Sequence, residues 1–560
     1  MIGRMPEEME PMSIDQKFCV EKFDESGRLI KFDLHYPENF NFGYDVVDEI
    51  AAETPDKRAL VWCSPEGGER IFTFDDIRRL SNRAANVFRS AGLRRGDRVM
   101  VLLKRHYEYW ICAIAMHKLG VVMIPATHML TVNDLVYRME CAHVKGVVCT
   151  PQDGVPQKIL QAAERTGQEL LLWTVQQEIP GFRNLTCEIE AASESLERQP
   201  NCATDPMVIY FTSGTTGHPK GVMHDYTYPL AHIVTAKYWQ QAEDGGLHFT
   251  VAETGWAKAS WGKIYGQWLV GCAVMVYDFD NFDPRQLVSV INRYGVTSFC
   301  APPTVYRYLV RKEIPAMPTL RHATTAGEVL APEVFRQFTE RTGIPLAEGY
   351  GQTETTVLMA NFKGDAPVDG ALGRFSPQYN IELRRRDGSR ASVGEIAEVV
   401  IVPDASGRQP GIFTGYLGDD EQYRRVWRDG VYHTGDAAWM DENGCCWFHG
   451  RFDDIIKTGG FRVGPFEVEN VLMEHPAVLE CSVIGVPDPL RGQAIKAVVH
   501  LNQGYTPSKQ LEKELKDFSN SRLAEYKWIR TVEFVAEMPK TISGKIRKLE
   551  LRERCAVLAD

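Results

Sequence analysis

The sequence predicts an α/β protein. It divides into a large N-terminal domain of parallel sheets with helices, a small β subdomain, and a small α+β C-terminal domain. Three observations carry this. Apolar, β-rich runs alternate with helical patterns as far as about residue 375. Beyond it, short strands between Gly, Asp and Asn turns dominate. After residue 451 helix and strand patterns mix in a compact unit. At 560 residues, with 44% apolar residues, the chain has room for more than one core.

Asp75 to Phe88 carries apolar residues at helical spacing. Arg98 to Leu103 reads as a strand after the turn Arg95-Gly96-Asp97. A helix over 107–119 leads to a strand over 121–124. The alternation recurs at 282–294, 298–301 and 303–310. This rhythm predicts parallel strands with helices on both faces. In the β subdomain, 381–384, 395–402 and 445–448 read as strands. The boundary is placed at Arg451, giving units 1–450 and 451–560. In the second, 465–475 is a helix with Pro465 near its first turn. Segments 481–486 and 494–500 are strands. Leu511, Leu515 and Phe518 share one face of a further helix.

Composition excludes several classes. Lys and Arg number 63 against 74 Asp and Glu, a net charge of −11, which argues against general nucleic-acid binding. An anionic substrate must be met by local positive groups. The most apolar stretch, Tyr109 to Ala126, is interrupted by His117, Lys118 and Gly120. It reads as a buried helix and strand, so no integral membrane segment is expected. Met1 to Lys22 is acidic and lacks an apolar core, so no signal peptide is expected. The 13 cysteines are scattered, with no Cys-x-x-Cys. Reduced thiols in a cytoplasm, and no zinc site, are the expectation.

The richest segment is Tyr210 to Val222. A β-branched and aromatic strand, Met207 to Phe211, runs into Thr212-Ser213-Gly214-Thr215-Thr216-Gly217-His218-Pro219-Lys220-Gly221. Such a loop can turn successive N–H groups inward as an anion nest. Its glycines allow close approach, its hydroxyls donate, and Lys220 adds charge. The chemistry suits a polyphosphate. Pro219 before Lys220 departs from the Walker A pattern.

This segment resembles the signature loop of the acyl-adenylate-forming superfamily: acyl-CoA synthetases, adenylation domains and luciferases. The other motifs follow in the family's order, from about Tyr44 to Arg552, and are most similar to the medium-chain acyl-CoA synthetases. Segments 124–131 and 256–271 share that flavour. The resemblance implies an ATP-dependent, AMP-forming acid:CoA ligase. Its substrates are a small carboxylic acid, ATP and coenzyme A, with Mg²⁺. It also implies a mobile C-terminal domain.

Residue by residue, the resemblance gives Thr212 to Lys220 to the phosphates. Ala326-Gly327-Glu328 lies on the adenine side. In Glu348-Gly349-Tyr350-Gly351-Gln352-Thr353-Glu354, Tyr350 packs on adenine and Thr353 touches the α-phosphate and carboxylate. Glu354, with Thr215, holds Mg²⁺. A hard cation on a triphosphate takes one or two oxygen ligands from protein, which suits this assignment. Asp436 and Arg451 take the ribose. Asp453 is the hinge. Gly459, Gly460, Phe461, Arg462 and Arg491 serve CoA. Lys545, in Pro539-Lys540-Thr541-Ile542-Ser543-Gly544-Lys545, is the adenylation lysine. The same context is similar to acetylated synthetases, which adds a lysine acetyltransferase and deacetylase as partners. A homo-oligomer is left open.

The acid lies among 256–265, 326–327 and 349–351. Acetyl-CoA synthetases carry a Trp directly before Gln-Thr-Glu; here Gly351 stands there. An open floor and acids larger than acetate are expected, with Trp256 and Trp261 capping the pocket against long chains. The expected substrate is a short-branched to medium-chain acid. A benzoate-like acid, a carrier-protein acceptor and an inactive scaffold are the alternatives.

Overall fold

The computed structural model describes residues 13–212, 219–312, 314–328, 330–404, 407, 409–452, 454–541 and 546–557. Two large sheets dominate. The first has eight strands in the order Gly415–Tyr416, Lys220–Asp225, Pro206–Thr212, Val122–Pro125, Arg98–Leu102, Gly146–Cys149, Leu171–Thr174, Arg183–Asn184. The second has nine: Arg374–Phe375, Val357–Ala360, Leu346–Gly351, His322–Thr325, Ser298–Ala301, Leu247–Thr250, Ala273–Tyr277, Arg58–Cys63, Glu69–Thr73.

The centres of both sheets are parallel, as the alternation predicts. Some of their outer pairs are not. Pro206–Thr212 and Lys220–Asp225 pair antiparallel, as do Leu346–Gly351 and Val357–Ala360. The cause is connection length: a few residues can close a hairpin but cannot carry a crossover helix.

The helix predicted at 75–88 spans Phe74–Ser90, started by a reciprocal cap between Thr73 and Asp76. The one predicted at 107–119 spans Glu108–Leu119 and is buried along its whole length. Gly120 ends it at φ 71°. Its one buried ammonium, Lys118, donates to Asp48 at 2.6 Å, Asn82 at 2.7 Å and Ser81 at 3.1 Å. Among the described residues no helix is long and apolar enough to cross a membrane.

The β subdomain is a five-stranded sheet containing Asn380–Arg384, Ala397–Val402, Trp427–Arg428, Val431–Met440 and Cys446–Arg451. Its chain returns through Gly415–Tyr416 to the edge of the first large sheet. Beyond residue 454 a second five-stranded sheet is flanked by Pro465–Met473, Lys509–Asn520 and Lys548–Val557. Leu511 and Leu515 are buried in its core, as their spacing predicts.

Candidate active site

Thr212 ends one strand, Lys220 begins the next, and the two pair across the hairpin. Ser213, Gly214, Thr215, Thr216, Gly217 and His218 lie outside the described residues. The Pro219 carbonyl accepts from the Tyr137 hydroxyl at 3.0 Å. Lys220 Nζ stands 5.5 Å from the centre of the Tyr416 ring. Burial pulls the Lys220 pKa down, while Asp419 and Glu354 oppose the fall.

Leu346–Gly351 places Glu348 beside Thr325 and carries the chain toward the β subdomain. There the residues predicted for adenine and ribose meet. The Tyr350 hydroxyl donates to Asp436 Oδ2 at 2.6 Å. Gln352 Nε2 donates to the same oxygen at 2.6 Å and to the Thr434 carbonyl at 2.8 Å. Gln352 Oε1 accepts from the Tyr432 hydroxyl at 2.8 Å. Arg451, paired with Asp436 across two strands, brings Nε within 3.5 Å of Oδ1. The aspartate is buried and its carboxylate is engaged by these donors. Lys258 Nζ donates to the Ala326 carbonyl at 2.7 Å, next to Gly327 at φ 95°. Glu328 accepts from Thr304 Oγ1 at 2.8 Å. Burial pushes the Glu348 carboxyl up to about 8; its partner is the Leu330 N–H at 3.4 Å.

The Thr353 carbonyl accepts from His224 Nε2 at 2.7 Å. Burial lowers the His224 pKa to about 4, so the ring is neutral and its Nε2 carries the proton donated. Glu354 Oε1 accepts from the Tyr416 hydroxyl at 2.8 Å. Glu354 is half-buried as a residue, and burial raises the pKa of its carboxyl. A carboxylate oxygen is the kind of donor a hard divalent cation takes. A second cluster, Asp15, Cys19 and Glu21, also has ligand atoms close together. Lys237 Nζ already lies 2.8 Å from Asp15 and 2.9 Å from Glu21, so a cation is in place there.

The expectation of an open floor at Gly351 is corrected. A Cβ built there would lie 2.5 Å from Trp261 Cη2 and 2.3 Å from the Thr356 carbonyl oxygen. At Gly349 it would lie 2.5 Å from Trp239. Both glycines make room for indoles. Trp261 fills the space beside Gly351 and crosses Trp239 edge to face at 6.1 Å. Trp239 ends a π-helical turn, Thr235–Trp239, and donates to the Ala347 carbonyl at 3.1 Å. Trp256 is half-buried in a turn closed by Trp256 N–H to the Glu253 carbonyl at 3.3 Å.

In the C-terminal unit Gly459 N–H donates to the Arg491 carbonyl at 3.0 Å, bringing two predicted CoA residues together. A Cβ at Gly459 or Gly460 would meet nothing within 4 Å. Phe461 is exposed and stacks on Tyr526 at 4.5 Å. Arg462 contributes backbone to Phe461–Val463. Asp453 and Lys545 lie outside the described residues. His224, Trp239 and Tyr416 were not singled out from sequence; none sits in a motif of its own, and only contacts between segments distant in the chain bring them in.

A family model described as AMP-binding enzyme matches residues 47–417. The chain belongs to the AMP-binding enzyme family. The C-terminal domain model of this family matches residues 467–545. The chain is 35% identical over 536 residues to the mitochondrial acyl-coenzyme A synthetase ACSM3 of Rattus norvegicus, covering 93% of this chain and 92% of that protein. It is 37% identical over 529 residues to the mitochondrial ACSM4 of Mus musculus, covering 92% and 91%. The fold matches the anthranilate CoA ligase AuaEII in complex with anthranoyl-AMP, with TM-score 0.83, 26% identity and 94% and 99% coverage. It also matches a benzoate CoA ligase from Burkholderia xenovorans LB400, with TM-score 0.79, 26% identity and 92% and 100% coverage. This member of the AMP-binding enzyme family is an AMP-forming acyl-CoA synthetase using ATP and coenzyme A, with Mg²⁺ as the family's cation.

Proposed function

We propose that this synthetase activates a short-branched to medium-chain carboxylic acid through an acyl-adenylate. Tyr350 covers adenine, Asp436 and Arg451 take the ribose, and Lys220 with its preceding loop takes the phosphates. Mg²⁺, when bound to Glu354 and Thr215, neutralises phosphate charge. In the first half-reaction a carboxylate oxygen attacks the α-phosphorus. The bond to the bridging oxygen breaks, and pyrophosphate leaves with that electron pair. Lys545 meets the charge shared by carboxylate and α-phosphate. In the second, the CoA thiol attacks the acyl carbon and gives up its proton; the acyl–oxygen bond breaks and AMP leaves. No protein nucleophile is needed, so catalysis is positioning and charge stabilisation. Unit 451–560 turns at Asp453 between the two steps.

The observation that supports this acid class is the contact of the Trp261 indole with Gly351. It closes the pocket with a flat apolar wall, against which each buried methylene contributes about 0.8 kcal/mol. Preference should be graded with chain length. A second reading, a benzoate-like acid, is favoured by the same wall, since a ring stacks on indole, and by the names of the two solved relatives. Arg491 beside Gly459 supports free CoA over a carrier protein. The test is pyrophosphate release with straight, branched and aromatic acids, with and without CoA. An aromatic acid outrunning every alkyl acid would replace the first reading with the second.

Two finer proposals accompany this. The 13 cysteines are free thiols, which supports a reducing compartment, read here as the cytoplasm. The named relatives are mitochondrial, and fractionation decides between the two. Acetylation of Lys545 would remove the charge that adenylation needs and silence the first step selectively.

A further inference from the structure

Glu354 is separated from Tyr416 by 62 residues of sequence, yet the two are in hydrogen-bond contact. Tyr416 belongs to Gly415–Tyr416, which lies antiparallel to the strand beginning at Lys220, with Val222 opposite Tyr416. Its side chain is nearly buried. Its ring presents a face to Lys220 Nζ at 5.5 Å, and its hydroxyl donates to Glu354 Oε1 at 2.8 Å. The backbone on both sides is tied to the same two segments. Phe413 N–H donates to the Glu354 carbonyl at 2.8 Å, and Leu417 N–H to the Gly221 carbonyl at 2.7 Å. Among the described residues no other side chain donates to the Glu354 carboxylate.

We propose that Tyr416 is a positioning residue: it fixes the Glu354 carboxylate for a divalent cation and registers that carboxylate against the Lys220 strand. The proposal rests on reading Glu354 as the cation's ligand. A carboxylate turns freely about its terminal bond. With Oε1 engaged by Tyr416, Oε2 is left in a set direction, and ligands held in this way bind metal better.

The experiment measures ATP affinity by calorimetry in EDTA and in Mg²⁺; the ratio is the metal-linked gain. Tyr416→Phe keeps the ring against Phe413 and Lys220 and removes one donor. It is expected to cut the gain roughly ten-fold, the lower end for outer partners of metal ligands. ATP affinity in EDTA should hold. Glu354→Gln should abolish the gain. If Glu354→Gln abolishes it and Tyr416→Phe leaves the ratio unchanged, Tyr416 has no such role. If Glu354→Gln leaves it intact, the ligand reading itself fails and takes this proposal with it. In the native sequence, 3-fluorotyrosine at position 416 gives a check without loss of the hydroxyl. Its fluorine resonance should shift when Mg²⁺ joins the ATP complex, and an unmoved resonance overturns the proposal.

Discussion

Trp261 occupies the volume that a side chain at Gly351 would need: a Cβ there would approach Trp261 Cη2 to 2.5 Å. The space beside Gly351 is thus filled by an indole supplied from Lys258–Gly262, ninety residues earlier in the chain, and this indole is the proposed end of the acyl pocket. Its other face is braced by Trp239 and His232, with ring centres at 6.1 and 6.0 Å. Trp261 is nearly buried, so its position is fixed by packing.

Chain-length preference should therefore follow Trp261. Trp261→Leu removes part of the wall and should favour acids longer by one or two methylenes, each worth about four-fold in kcat/KM. Gly351→Ala should instead lose activity toward all acids, on the order of 100-fold, because backbone must shift away from the Thr356 oxygen. A kcat/KM series over straight acids checks both. Equal loss for every acid in Trp261→Leu would remove this residue from the pocket.

The sheet alternation was legible because strands and helices at 98–124 and 282–310 are continuous and strongly patterned. That Tyr350, Gln352, Asp436 and Arg451 meet follows from motifs long enough to be read locally, and the structure brings these four together. Trp261 was singled out in the sequence beside an open Gly351, but its contact with that glycine was not legible: Gly351 in isolation reads as space, and only the fold shows that Trp261 fills it. Tyr416 was invisible for the same reason: its partners are at 220 and 354, and neither spacing forms a pattern. Antiparallel edges were missed because a hairpin and a crossover begin with the same buried strand.

Glu348 gives a pH signature of stability. Its carboxyl has a pKa of about 8 in the folded chain against 4.5 for the free group, because burial disfavours the charge. The folded state therefore holds a proton that the unfolded state has lost between these values. Stability falls as pH rises from about 4.5 to about 8, and then levels. Glu348→Gln should remove this slope. Relative to the parent it should gain stability on the order of a few kcal/mol at pH 8.5 and little at pH 4.5. Urea midpoints at the two pH values measure it. An identical pH dependence in both proteins would show that Glu348 ionises normally.

Lys545→Ala should abolish adenylation and spare thioester formation from supplied acyl-AMP. The reason is selectivity of charge: the α-phosphate and the acid's carboxylate share developing charge only in the first step. Pyrophosphate exchange and acyl-CoA formation from acyl-AMP, measured separately, give the answer. Equal loss in both would move Lys545 out of the adenylation role.

The side chains of the two neighbours of residue 453 find partners in different bodies, although Asp454 N–H also donates back to the Arg451 carbonyl at 3.0 Å. Phe452 N–H donates to the Gly435 carbonyl at 2.8 Å, and the Arg386 guanidinium lies 5.1 Å from the centre of the Phe452 ring. Both partners belong to the β subdomain. On the other side Asp454 accepts from Arg552 at 2.6 Å, in the last helix. The turn proposed for the C-terminal unit would then centre on the residue between these two side-chain anchors. Asp453→Pro fixes φ near −65° and should keep pyrophosphate exchange while acyl-CoA formation falls. Arg552→Ala frees the far anchor. An ion pair this accessible is worth roughly 0.2–1 kcal/mol, so the melting temperature should hardly move. Acyl-CoA formation from supplied acyl-AMP should nonetheless slow several-fold, since the turn is no longer confined to one position. If Arg552→Ala slows nothing, the far anchor lies elsewhere; if Asp453→Pro also runs at the parent rate, so does the hinge.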